Sequence, residues 1–507
     1  METLKPEHVS FSALGKWTRI SLIVVFIIGI LIRVVQYLGG ISYWMDELFN
    51  VVNLENMSMS ELLTTQPEYN QVVAPGYYLV QKGLLLLVGQ SSELLLRLYQ
   101  VICSITALFL LYKITARYLK GLYLVITMAL ICTALGSWFY GTSAKPYAVE
   151  LMYIVFITLS LLRMQEGPLK KWQYLLVGLI GGFGTFSSLI CTAFLAGAVP
   201  YLFWTASKEN KKLNLVLTSS LWILGGVLTV LYTLMALDPT VKDAMGDTHA
   251  YGFPPSSIAE FPLWVWSSFY EVMFYFLAIT FPIPFINIIS TLLLILGLLG
   301  IYALLKKDLK RGVLLALFIA MNFSLALLYI LPLTSRYGPA TFWVFIIFAM
   351  YGLAFLREKV PFIKKWLVYS IAIILALPSF LMATLGLLGL PNDFDPTEKL
   401  LVEIKKELQP EQQILVHPRA YLQIDYYAPK NGFDDYYIMH SETTPEELTA
   451  KLDNMDLDEA WFVVANILEY PSKLTVESFM EVFDQQAEEV KRIALTEDTF
   501  AVLYDFK

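Results

Sequence analysis

Apolar runs of near membrane-spanning length, separated by short basic clusters, fill the first 390 positions of the chain, and the rest of its 507 residues change to short alternations of apolar and polar positions. Ile20 to Leu38 is the first run, with Arg33 its only charge. At about 19 residues it matches the length a helix needs to cross a hydrocarbon core ~30 Å thick. Hydropathy alone gives about thirteen such runs, and the placement of Lys and Arg removes two of them. With Lys5, Lys16 and Arg19 inside, the loop after the first run lies outside, and it holds Asp46, Glu47, Glu55, Glu61 and Glu68 before any basic residue. If residues 73–89 then crossed, Lys113/Arg117/Lys120, Arg163/Lys170/Lys171 and Lys208/Lys211/Lys212 would all fall outside; laid along the outer interface, that segment leaves all three clusters inside. Residues 263–281 pose the same choice, and their Trp264, Trp266, Phe269 and Tyr270 suit interfacial depth.

The pattern therefore predicts a polytopic α-helical bundle of about eleven spans, near 20–38, 97–118, 121–140, 146–164, 172–188, 190–206, 214–237, 285–305, 312–332, 337–356 and 366–389. In-plane segments are expected near 47–62, 73–89 and 263–281. An odd number of crossings places the C-terminus outside. Gly181-Gly182-Phe183-Gly184, between the fifth and sixth spans, is either a turn or a break within one helix, and Gly178 and Gly182 have the spacing of close helix packing. From residue 391 the periodicity shortens. Gln413–Val416 and Ala460–Val464 predict buried strands, Thr444–Leu452 and Val476–Val490 amphipathic helices, and Ile493–Asp505 a closing hairpin. The expected division is thus a transmembrane domain over 1–390 and a small α/β domain over 391–507.

Composition agrees with that division. Hydrophobic residues make up 57% of the chain and its mean hydropathy is +0.60, above the ~45–50% apolar content of soluble proteins. No small-residue cleavage site follows the first run, so it is expected to stay as a span. Residues 391–507 carry 25 Asp and Glu against 10 Lys and Arg, a net of −15, while the first 390 carry +8 within an overall charge of −7. An acidic tail repels phosphate polymers, which argues against nucleic acid as a partner. The tail also has no glycine-rich phosphate loop after a strand, so no nucleotide is assigned to it. Cys103, Cys132 and Cys191 all fall in predicted spans and leave nothing for a disulfide framework.

This topology gathers a particular set of groups at the outer membrane face. Asp46 and Glu47 follow the first span, Arg97 opens the second, Lys145 sits where the third gives way to the fourth, and Arg336 lies between the ninth and tenth. Arg33 is near the outer end of the first span and Glu150 about one turn into the fourth. Ionised side chains at this depth cost a few kcal/mol unless paired or hydrated. Moving a sugar from a lipid phosphate to a hydroxyl requires such a set. A carboxylate takes the acceptor's proton, cations hold the departing phosphate, and the site lies at the interface because the lipid stays in the bilayer.

Tyr43-Trp44-Met45-Asp46-Glu47, Ala74-Pro75-Gly76-Tyr77-Tyr78, Arg97-Leu98, Ala144-Lys145-Pro146-Tyr147-Ala148 and Ser335-Arg336-Tyr337 together resemble the GT-C superfamily of polyprenyl-phosphate-sugar glycosyltransferases, in particular its protein O-mannosyltransferase and aminoarabinose-transferase branch. The likeness runs through most of residues 20–356. It implies a GT-C-like bundle with interfacial helices in the first outer loop and a membrane-embedded, inverting transferase acting on the extracytoplasmic face, in a bacterium that of the inner membrane. It further implies that Asp46, with Glu47 beside it, is the base that activates the acceptor. Lys145, Arg336 and Arg97, with Arg33, Tyr147 and Glu150, fall to the lipid-phosphate donor, and Pro75, Tyr77 and Tyr78 to an acceptor groove. The partners implied are a polyprenyl-phosphate-sugar, an acceptor hydroxyl or amine on protein, glycan or lipid, and the bilayer itself. Where family members often carry a histidine, this chain has Val73, so the acceptor or metal contact of that histidine has no counterpart at this position. A divalent cation near Asp46 is left open.

Plainer roles stand beside each of these. Asp46 suits an N-cap for a helix from Glu47 to Leu54, and Glu47 suits the first turn of that helix. Lys145 and Arg336 suit headgroup anchors; Arg97 suits a pair with Glu93, and Arg33 with Glu150. Glu271 is uncommitted, and His249 near Asp243 and Asp247 matches no strong ligand spacing. The rival function is a transporter or lipid flippase without transferase activity. Such folds show internal repeats and midplane charges, and the chain has no convincing self-similarity.

Overall fold

Inside hydrocarbon every backbone N–H and C=O must be satisfied within its own segment, so the long apolar runs fold as helices. The computed structural model describes residues 11–236, 250–277, 283–334, 339–360, 364–388, 393, 395–439, 444–455, 457–465 and 475–506. Its first helices are α1 (Lys16–Leu38), α2 (Met45–Asn56), α3 (Met59–Thr64), α4 (Pro75–Val88), α5 (Glu93–Thr115), α6 (Gly121–Thr133), α7 (Leu135–Thr142), α8 (Tyr147–Glu166), α9 (Lys171–Phe186), α10 (Leu189–Thr205) and α11 (Lys212–Ala236). Among the described residues, eight helices are long and apolar enough to cross a membrane, and α6 with α7 makes a ninth if that pair, bent by 45°, is one span. The chain divides into two compact units, residues 1–39 with 53–391 and residues 40–52 with 392–507.

In the first unit the expected eleven spans all become helical, but not all are of spanning length. The helices α9 and α10 have 16 and 17 residues, about 24–26 Å at 1.5 Å per residue. The expected third span is broken after Thr133, whose hydroxyl donates to the Ala129 carbonyl at 2.8 Å; such back-bonding bends helices without proline. The glycine cluster at 181–184 is neither turn nor break, because α9 runs on to Phe186 and the turn falls at Ser187-Ser188, where Ser188 caps α10 through the Cys191 N–H at 3.0 Å. Those glycines serve a close crossing instead. A Cβ on Gly182 would lie 2.6 Å from the Leu221 carbonyl oxygen, and one on Gly225 would lie 1.9 Å from the oxygen of Gly182. The crossing of α9 and α11 is then fastened by Trp222 Nε1 donating to Val177 O at 3.0 Å and Thr185 Oγ1 donating to Trp222 O at 2.8 Å.

The expected in-plane stretch 47–62 is two helices, with Ser58 starting α3 through a reciprocal cap with Glu61. The 14-residue α4 and the 17-residue Phe261–Leu277 helix replace 73–89 and 263–281; at ~21 Å, α4 is too short to cross alone.

The tail of the second unit is a five-stranded sheet of β1 (Gln413–Val416), β2 (Tyr437–Ile438), β3 (Glu459–Val464), β4 (Glu488–Ala494) and β5 (Phe500–Asp505) in the order β2-β1-β3-β5-β4. The strand β1 pairs in parallel with β2 and β3, and β5 runs antiparallel to β3 and β4. Phe462, Val464, Val502 and Tyr504 on one face pack against Phe479, Val482 and Phe483 of the Val476–Gln486 helix and against Leu448 and Leu452. The helix expected to reach Val490 stops at Gln486, and β4 begins at Glu488. The two-residue β2 and the amphipathic Thr397–Glu407 helix escape the sequence pattern.

Candidate active site

The acidic pair lies in the second unit, at the start of α2. Trp44, not Asp46, is the residue before the first helical turn: Leu48 N–H donates to Trp44 O at 3.0 Å, and Trp44 N–H donates to Glu47 Oε2 at 3.3 Å. Glu47 therefore occupies the third helical position and reaches back to satisfy a backbone donor that the helix leaves open, one half of a capping box. Asp46 is the second helical residue, where the positive end of the helix dipole favours a carboxylate. Both are buried, Asp46 at 8% exposure and Glu47 at 1%. The helix expected to start at Glu47 with Asp46 as its cap thus starts two residues earlier and assigns capping to Glu47.

The basic groups lie in the first unit. Lys145 stands in the short link between α7 and α8, and Pro146 caps α8 by accepting the Glu150 N–H at 2.8 Å. The Lys145 ammonium is buried at 4% exposure and donates to the Gln71 side-chain oxygen. Gln71 follows Tyr69 and Asn70, both with positive φ (59° and 52°), a backbone region that residues other than glycine seldom adopt. That turn is pinned from α2, because Asn53 Nδ2 donates to Glu68 O at 3.1 Å and Asn53 Oδ1 accepts the Glu68 N–H at 2.7 Å. One turn into α8, Glu150 accepts the Ser188 hydroxyl at 3.3 Å, and Tyr147 packs edge-on against Tyr140 with centroids 4.9 Å apart. Arg97 is buried in the first turns of α5. At the other end of α8, about 24 Å from Glu150, Glu166 receives Arg117 in a two-point pair at 2.6 and 3.1 Å with Arg311 at 3.6 Å. The charges of this helix are thus confined to its two ends.

Several sequence-predicted site residues have other occupations. All five N–H groups of Arg33 are taken: Nε by Ser104 Oγ at 2.7 Å, Nη1 by the carbonyls of Gly29 and Cys132 at 2.7 and 3.0 Å, and Nη2 by the Ser137 hydroxyl and carbonyl at 2.8 and 3.3 Å. Arg33 therefore clamps α1 to α5, α6 and α7, and it does not pair with Glu150. Pro75, Tyr77 and Tyr78, expected at an acceptor groove, are buried on α4. The Tyr77 hydroxyl accepts from Gln81 Nε2 at 3.0 Å and Gln100 Nε2 at 2.6 Å, which stitches α4 to α5. A Cβ on Gly76 would meet Ser187 Oγ at 2.4 Å, so α4 also presses on the end of α9. Burial holds the Tyr78 hydroxyl well above its usual pKa. Glu271 is half-buried, while Arg336, His249, Asp243 and Asp247 lie outside the described residues. No group of three or more His, Cys, Asp and Glu able to hold a metal ion occurs among the described residues. Sequence reasoning missed Gln71 and Trp44. A neutral amide in a loop and a backbone N–H carry no compositional signal.

No family model matches the chain, and no curated protein matches it. Among solved structures it is similar to ArnT from Cupriavidus metallidurans in the apo state, at 11% identity and a TM-score of 0.49 over 97% of this chain and 98% of that one. It is similar to the Archaeoglobus fulgidus oligosaccharyltransferase in the apo form at 12% identity and a TM-score of 0.48, over 88% of this chain and 69% of that one. The arabinofuranosyltransferase AftD from mycobacteria matches at 14% identity and a TM-score of 0.48 over 99% of this chain, which spans 40% of AftD.

Proposed function

We propose that the chain is a GT-C-type membrane glycosyltransferase that passes a sugar from a polyprenyl phosphate to a hydroxyl or amine acceptor on the extracytoplasmic face. The observation that carries this reading is the burial of Lys145, at 4% exposure, in the membrane-type bundle of the first unit, together with the burial of Asp46, at 8%, in the second unit. Removing such ions from water costs several kcal/mol each, a cost that chemistry on a charged substrate offsets.

In this reading the acceptor oxygen or nitrogen attacks the anomeric carbon and its proton passes to the Asp46 carboxylate. The bond from that carbon to the phosphate oxygen breaks, and the oxygen keeps the electron pair. Lys145 stabilises the charge that develops on the departing lipid phosphate, with Arg97, and Arg336 further along the chain, as the additional cations of the donor site. Attack opposite to the leaving group inverts the anomeric centre. Glu47 acts through the helix terminus that it caps.

The test is to reconstitute the full chain in liposomes with undecaprenyl-phosphate-linked radiolabelled mannose or aminoarabinose and a cell-envelope extract as acceptor. The reading expects release of free undecaprenyl phosphate together with labelled product. Movement of intact lipid-sugar between leaflets without cleavage would overturn it in favour of a flippase.

A further inference from the structure

Residues 40–52 belong to the same compact unit as the tail, although more than 300 residues separate them in sequence. Three contacts make that association specific. Tyr43 N–H donates to the Tyr427 hydroxyl at 2.5 Å, and the Tyr43 ring meets the Tyr426 ring edge-on with centroids 5.8 Å apart. Ser42 Oγ accepts the N–H of Glu398 at 3.4 Å. Tyr43 and Tyr427 are both fully buried.

The tail side of this contact is itself braced. Asn431 Nδ2 donates to Tyr427 O at 2.9 Å, and the Lys430 ammonium sits 3.5 Å from the centre of the Tyr426 ring. Gln423, on the same Tyr421–Tyr427 helix, donates to Asp395 Oδ2 at 2.9 Å, and the Thr397 hydroxyl donates to the other carboxylate oxygen of Asp395. Asp395 is fully buried. Gly40, the first residue of this segment, has φ +59°, a conformation glycine adopts without penalty.

Tyr43 directly precedes Trp44, whose N–H is held by Glu47. Fixing the amides of residues 43 and 44 fixes where α2 begins and so where the backbone of its second residue, Asp46, sits. General-base catalysis is sensitive to such placement: a displacement of ~1 Å can lower the rate about 100-fold.

We propose that the C-terminal domain latches the segment bearing Asp46, and that Tyr427 is the positioning residue that carries the latch, with Ser42 as its second tie. This rests on the reading of Asp46 as the base. Deleting the Tyr427 hydroxyl removes the acceptor that it offers the Tyr43 N–H, loosens the start of α2, and lowers turnover without weakening the donor's hold.

The experiment compares wild type, Tyr427→Phe and Ser42→Ala as full-length protein in nanodiscs. Hydrogen exchange is followed by mass spectrometry, and turnover is followed with undecaprenyl-phosphate-linked mannose and aminoarabinose. Expected for Tyr427→Phe is faster exchange at residues 41–46, by about tenfold, with protection of β1, β3 and β5 unchanged. Its kcat is expected to fall about tenfold while KM for the donor stays within about twofold. Ser42→Ala is expected to move both quantities in the same direction by less, which keeps the proposal testable if Tyr427→Phe disturbs the sheet. Unchanged exchange at 41–46 in both variants overturns the latch. Faster exchange with unchanged kcat overturns its positioning role. If wild type cleaves neither donor, the transferase reading fails, and the exchange result alone still decides whether the latch exists.

Discussion

The backbone N–H of Trp44 donates to the carboxylate of Glu47 at 3.3 Å, so the second acid of the pair is committed to closing the N-terminus of α2. Adjacent carboxylates with the same chemistry are thereby given different work, one a helix terminus and the other the proposed base. Glu47→Gln keeps an oxygen that can accept from Trp44 and is expected to preserve both fold and turnover. Glu47→Ala removes it and is expected to destabilise the segment by about 0.5–2 kcal/mol, read as faster hydrogen exchange over 43–48.

Arg33 is expected to act on stability and not on donor binding, because its five donors are already satisfied by protein oxygens. Lysine cannot reproduce the planar fork. Arg33→Lys leaves buried acceptors unpaired and is expected to cost roughly 2–4 kcal/mol, read as a lower thermal midpoint in detergent. The Kd for undecaprenyl phosphate in the folded fraction is expected to stay unchanged.

What was legible in the sequence follows from which interactions are local. Span positions could be read because a helix in lipid satisfies its own backbone, so hydropathy and basic clusters suffice; the tail strands at 413–416 and 460–464 could be read because their apolar runs are short and bounded. The bend after Thr133 could not, since no proline marks it and Gly136 lies past the break, inside α7. Sequence alone assigns Arg33 to the donor because an arginine near a span end looks the same whether it meets lipid phosphate or backbone carbonyls. Least visible was the membership of residues 40–52 in the tail unit, since Tyr43 and Tyr427 are 384 positions apart and neither residue type announces the other.

Lys145 is expected to carry the donor phosphate through its charge, with Gln71 setting the position of the ammonium. Lys145→Gln is expected to weaken binding of undecaprenyl phosphate about 10- to 100-fold, a loss of the size of a buried charge-assisted contact. Gln71→Ala should weaken it by less than tenfold, and both effects are measured by native mass spectrometry. Equal affinity in Lys145→Gln and wild type would remove Lys145 from the site.

His417, at the end of β1, lies buried against Phe462 and Phe479. Burial, with Arg419 beside it, lowers its pKa from 6.5 to about 4. The folded tail holds it neutral where the unfolded chain would protonate it, so its contribution to stability is fully present above pH 6.5 and is lost as the pH falls from 6.5 towards 4. The loss amounts to about 3 kcal/mol at 1.36 kcal/mol per pKa unit. His417→Gln, uncharged throughout, is expected to flatten that part of the tail's stability profile, read by hydrogen exchange of β1 and β3 between pH 7 and 4.

The acceptor's proton goes to Asp46 in the proposed reaction. The most direct test of that step is the single-turnover rate of sugar transfer by Asp46→Asn in reconstituted full-length protein at saturating donor, since asparagine keeps the size and first-turn position of the side chain but accepts no proton. The expected result is a fall of about 10²- to 10⁴-fold with the affinity for undecaprenyl phosphate retained. A rate equal to that of wild type would contradict it.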